Sequence, residues 1–143
     1  MKINKRFKVL IMGFLLSLSI GALVGCSSND TANNDNKNSE KYENINAKET
    51  EDLLASGDDI AVVDVRGKDE YDTGHIDRAK NIDLNNFENN LTILDDYKEK
   101  PVLLYCNSGK KSEDAAKILS EHGFKKVYNA ADGVKEHDYK LVK

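Results

Sequence analysis

The chain has 143 residues, 21 Lys and Arg against 25 Asp and Glu, a formal charge of −4, and two cysteines. That length allows one domain with a modest core. An acidic balance without a basic stripe excludes a nucleic-acid binder, whose target phosphates would repel it.

Lys2, Lys5, Arg6 and Lys8 open the chain, and an apolar run of 16 residues from Val9 to Val24 follows. A membrane-spanning helix needs about 20 such residues, so this pattern reads as a secretory leader. It ends in Leu23-Val24-Gly25-Cys26, which looks like a bacterial lipobox. The expected products are a signal peptide over 1–25 and a lipidated Cys26. Acyl chains would then anchor the protein to the bacterial cell membrane, with the rest on the extracytoplasmic side. Losing the four leader cations leaves 17 Lys and Arg against 25 acids, a charge of −8. Cys106 becomes the one free thiol, which rules out an intramolecular disulfide.

Residues 26–41 are read as a tether. Ser27 to Lys41 has one alanine and nothing larger that is apolar, so it cannot bury enough surface to offset its ordering entropy. As a coil its ends would lie roughly 20 Å apart. A single domain is expected over 42–143.

Asn46 followed by Glu49 predicts a capped helix with Ala47, Thr50, Leu53 and Leu54 inward and Gly57 as its stop. Ile60-Ala61-Val62-Val63 reads as a strand covered on both faces. A short helix is expected over Lys68 to Asp72, then a turn through Gly74. Asn81 to Leu84 suggests another strand, and Phe87, Leu91 and Leu94 have helical spacing. Pro101 precedes the strand Val102 to Tyr105. A helix from Lys111 to His122 follows, stopped by Gly123, then a strand at Val127-Tyr128 and a polar helix from Gly133. Strands alternating with helices at short intervals imply an α/β fold with a parallel sheet and right-handed crossovers. Its functional crevice should lie at the carboxyl ends of the strands.

The strand ending at Cys106 carries the chemistry. Cys106 opens a short loop, Asn107, Ser108, Gly109, Lys110, Lys111 and Ser112, that empties into a helix start. Loop N–H groups and the helix dipole would converge on the sulfur and favour a thiolate. A buried cysteine packing as a small hydrophobe is the bland alternative. His75, His122 and His137 are scattered and give no metal-ligand spacing.

Asp64-Val65-Arg66, Glu70-Tyr71-Asp72-Thr73-Gly74-His75-Ile76, Ala79-Lys80-Asn81-Ile82, Tyr105 through Ser112, and Gly123 through Asn129 resemble, in order and spacing, the single-domain rhodanese (sulfurtransferase) family. The resemblance implies a central five-stranded parallel sheet with helices on both faces. It implies a persulfide on Cys106, loaded by a small sulfur donor such as thiosulfate and discharged to cyanide or a thiol. Residues 107–112 would bind that sulfur, and Asp64, Arg66, Glu70 and His75 would support them. It implies a monomer that needs no metal or cofactor. Active members usually have arginine where this chain has Lys111, and a lysine keeps the charge but loses the planar fork. Arg78 could restore a guanidinium only by pointing into the pocket. These departures motivate an alternative, a catalytically weak binding or persulfide-carrier module. Phosphatase-type loops place five residues between cysteine and arginine, whereas four separate Cys106 from Lys111, which argues against that chemistry.

Overall fold

The structure is a computed structural model and describes residues 41–143. The leader over 1–25, Cys26 and the tether up to residue 40 lie outside the described residues.

Five parallel strands form the central sheet. In chain order they are β1 (Glu43–Ile45), β2 (Ala61–Asp64), β4 (Lys80–Asn81), β5 (Pro101–Tyr105) and β6 (Lys126–Ala130), arranged in space as β1-β6-β5-β2-β4. A separate antiparallel pair joins β3 (His75–Ile76) to β7 (Leu141–Val142). The helices are α1 (Ala47–Ala55), α2 (Lys68–Thr73) and α3 (Lys110–Glu121), with 3-10 turns at Leu84–Asn86 and Glu88–Tyr97.

Residues alternate between the two sheet faces, and that alternation explains the two cores. On β5, Val102, Leu104 and then Cys106 face the layer of α3 and the 3-10 turns, while Leu103 and Tyr105 face that of α1. Each fully buried Leu or Val contributes about 1.5–3 kcal/mol, and Val63, Leu103 and Leu104 are all at 0% exposure. Pro101 sits at the first position of central β5, where a missing N–H disturbs the ladder least. β2 and β5 run in register from Ala61 opposite Val102 to Asp64 opposite Tyr105. The carboxyl ends of the two central strands are therefore level.

The predicted cap at Asn46 is present as a reciprocal box. Glu49 N–H donates to the Asn46 side chain at 3.0 Å, and Asn46 N–H donates to the Glu49 carboxylate at 2.8 Å. Three expectations need correction. Of the strand expected over 81–84 only Asn81 is in the ladder, as the end of β4 (Lys80–Asn81), because Asp83 caps a 3-10 turn. The helix expected through Phe87 and Leu94 is tightened to 3-10, where Asn89, Asn90 and Thr92 offer poor α-helix propensity. No helix follows Gly133. One turn forms there, closed by His137 N–H on the Gly133 carbonyl at 3.1 Å. The chain then has to bring Tyr139 into the α1-side core and Leu141 to β3. Strand β1 has one buried residue, Ile45, too little pattern for a sequence reading to find.

Candidate active site

Cys106 sits where β5 ends and is 2% exposed. The chain then turns sharply through Gly109, whose φ of +81° lies in the left-handed region that glycine enters without penalty. A Cβ at Gly109 would lie 2.3 Å from the Ala131 carbonyl oxygen, so a side chain is excluded there on steric grounds too.

Four donors converge on the sulfur. The Ser112 hydroxyl is 3.4 Å from Sγ, and the backbone N–H groups of Ser112, Ser108 and Lys111 also point to it. Burial pushes the thiol up, but the Ser112 hydroxyl and the three N–H groups outweigh burial and hold it below its ordinary value. The Ser112 Oγ is also 3.1 Å from the Gly109 carbonyl. A hydroxyl carries one proton, so it can donate to the carbonyl or to the sulfur, and an ionised sulfur draws that proton its way.

The inward turn of the Ser108 amide is imposed from outside the loop. Val134 N–H donates to the Cys106 carbonyl at 2.9 Å, and Lys135 N–H donates to the Asn107 carbonyl at 3.0 Å. Because a trans peptide is planar, fixing the Asn107 carbonyl outward fixes the Ser108 N–H in the opposite direction, toward Sγ. Gly133 makes that contact possible. A Cβ there would lie 2.2–2.4 Å from Asn107 C, Asn107 O and Ser108 N.

The supporting residues divide into two groups. Asp64 and Arg66 form a buried pair, with Arg66 Nη2 2.6 Å from Asp64 Oδ2 and Nε 3.0 Å from both carboxylate oxygens. Arg66 also donates to the Gly74 carbonyl at 2.7 Å and lies over the Tyr105 ring, 5.7 Å from its centroid. Burial pulls the guanidinium down, yet Asp64 more than offsets it and raises it. Arg66 is thus committed to Asp64 and to the turn before β3. Beside that pair, burial and the Asp64 charge keep the Tyr105 phenol neutral, and its oxygen accepts from Ile76 N–H at 3.0 Å. Glu70 belongs to the second group and reaches the loop directly, with Asn107 Nδ2 donating to it at 2.8 Å.

His75 is stacked on Tyr71 at 3.8 Å, with its Nδ1 3.1 Å from the Tyr71 carbonyl. Among the described residues no hydrogen bond joins it to the Cys106 loop. The side chains of Lys110 and Lys111 are exposed. Arg78 donates to the Leu54 carbonyl near the end of α1 at 3.4 Å, so its guanidinium does not stand in for the arginine missing at Lys111. Gly133, Val134 and Lys135 are the participants that the sequence reading missed. A glycine beyond a strand end is the sole signal, and it does not say which loop it touches.

A parallel α/β sheet that presents a cysteine sulfur in a nest of amides, its pKa held down, at a central strand end defines a class of sulfur-handling domain. The chain belongs to the rhodanese family: the model for the "Rhodanese-like domain" matches residues 46–138. It is 37% identical over 92 residues to the thiosulfate sulfurtransferase GlpE of Coxiella burnetii, covering 64% of this chain and 83% of that one. It is 33% identical over 88 residues to the tRNA uridine(34) hydroxylase of Pectobacterium atrosepticum, covering 59% of this chain but 25% of that protein. The chain therefore spans about a quarter of the length of that enzyme. A solved structure titled "rhodanese with anions from E. coli" superposes with a TM-score of 0.53 at 33% identity, covering 59% of this chain and 98% of the other.

Proposed function

We propose that this rhodanese-family domain moves sulfane sulfur through a persulfide on Cys106, from a donor such as thiosulfate to cyanide or a thiol. The observation that carries this reading is the convergence of the Ser112 hydroxyl and three backbone N–H groups on Sγ. The Cys106 thiolate attacks the outer sulfur of thiosulfate. A Cys106–sulfur bond forms, the donor's S–S bond breaks, and its electron pair leaves on sulfite. The acceptor then attacks the outer sulfur, and the thiolate is regenerated without an external oxidant. The same donors that hold a thiolate hold the persulfide, which is also an anion. The likeness to the Coxiella thiosulfate sulfurtransferase supports this choice of donor.

In this reading Cys26 carries the lipid and holds the domain at the outer side of the bacterial membrane as a monomer. Loss of acyl labelling in Cys26→Ser tests the anchor. For the reaction, the full chain purified in detergent is mixed with thiosulfate and cyanide. Thiocyanate should form with the wild type and fall to background in Cys106→Ala. Undiminished activity in the alanine variant would overturn the reading. Lys111, in place of the usual arginine, favours a second reading, a persulfide carrier with slow turnover, in which Cys106 loads but thiocyanate release is weak.

A further inference from the structure

We propose that Glu70 sets the donor specificity of the Cys106 site, its negative charge beside the lysines of the mouth disfavouring dianionic sulfane donors relative to monoanionic ones. This inference rests on the sulfurtransferase reading above.

Glu70 comes from α2 yet touches both loops of the site. Its Oε1 accepts from Asn107 Nδ2 at 2.8 Å and lies 3.7 Å from Lys135 Nζ. Asn107 adjoins Cys106, and Lys135 is the residue whose N–H holds the Asn107 carbonyl. A carboxylate only accepts, so Asn107 must turn its NH2 group to Glu70. That orientation leaves Asn107 Oδ1 buried with no hydrogen-bond partner, so the contact is kept despite an uncompensated acceptor. Lys111 and Arg66 also act on Glu70, which is held below the usual carboxylate range chiefly by the Asn107 amide. Arg66 is already matched by Asp64. The charges around Glu70 are therefore Lys135, 3.7 Å from it, and Lys111, with exposed Lys110 one residue earlier, set against the single charge of Glu70.

Thiosulfate carries two negative charges and an alkyl thiosulfonate carries one. Both load Cys106 by the same step, in which the thiolate bonds to the terminal sulfur. The bond to the oxidised sulfur then breaks, and its pair leaves on sulfite or on sulfinate. The repulsion from Glu70 acts twice on the first donor and once on the second.

The test follows loading of Cys106 in the full chain by intact mass, with thiosulfate and with methanethiosulfonate as separate donors. Glu70→Gln keeps an oxygen for Asn107 and removes the charge. The ratio of thiosulfate to thiosulfonate loading rates should rise roughly fivefold at low salt, the effect of one unit charge a few ångströms away in water. The rise should shrink at about 1 M salt, where the screening length falls to about 3 Å. Glu70→Asp retains the charge and should keep the wild-type ratio. Lys135→Gln alters an exposed side chain and should move the ratio the other way, which keeps the proposal testable if Glu70→Gln misfolds. An unchanged ratio in folded Glu70→Gln, or a change insensitive to salt, overturns the proposal, as does an unchanged ratio in Lys135→Gln if Glu70→Gln misfolds. A wild type that loads from neither donor overturns the sulfurtransferase reading instead.

Discussion

The loops after β5 and β6 lie side by side at the same edge of the sheet and contribute in opposite ways. The first supplies the reacting atom and the N–H groups that surround it. The second contributes no reacting side chain, and its backbone N–H groups at Val134 and Lys135 grip the carbonyls of Cys106 and Asn107. The difference shows that the thiolate nest is not a property of one loop. The Ser108 amide faces inward because a neighbouring loop holds the Asn107 carbonyl outward, while the Lys111 and Ser112 amides belong to the first turn of α3. That neighbour is itself tied down: the Tyr139 hydroxyl donates to the Asp132 carbonyl at 2.9 Å, and the Asp132 carboxylate accepts from Ala47 N–H at 2.9 Å.

Substitutions in the second loop can break this division of labour. Gly133→Ala places a methyl inside the 107–108 peptide and should have the largest effect. We expect a loss of about 2–4 kcal/mol in chemical denaturation, together with a fall in persulfide loading, although no reacting group has changed. Tyr139→Phe removes one hydrogen bond from the brace and should cost about 1 kcal/mol, with loading slowed less than by Gly133→Ala.

Ser112→Ala sharpens the comparison from the side of the first loop and should affect stability least. It removes one of the four donors to sulfur, so the Cys106 pKa should rise, read from thiolate absorbance. The wild-type thiol is held below its ordinary value of 9.0. Ionisation therefore favours the folded state. That contribution is complete above 9.0 and is lost as the pH falls through the lowered value. Loading should rise with pH over the same window and then level off, and Ser112→Ala should shift the rise upward.

The contrast between the loops also explains what was legible in the sequence. The Cys106 loop could be read because an apolar strand, a cysteine, a glycine and a helix start follow one another locally. Asp64 and Arg66 were reached through the family resemblance as supporting residues, and their pairing with each other is shown by the structure. The brace was not legible, because its action depends on Gly133 meeting Asn107, 26 positions away in the chain, and no local pattern encodes that contact. The helix expected from Gly133 failed for the same reason. Pairing of Leu141–Val142 with His75–Ile76 draws the segment away, and that partner is distant in sequence. Tyr105 was read as part of a buried strand, but its bond to Ile76 N–H, which ties β5 to the turn held by Arg66, appears only in three dimensions.

The most direct test of the account is the intact mass of the full chain after treatment with thiosulfate. The account predicts a gain of one sulfur atom that maps to Cys106, disappears on adding cyanide, and is absent from Cys106→Ala. No gain in the wild type, or a gain that persists when Cys106 is alanine, would contradict it.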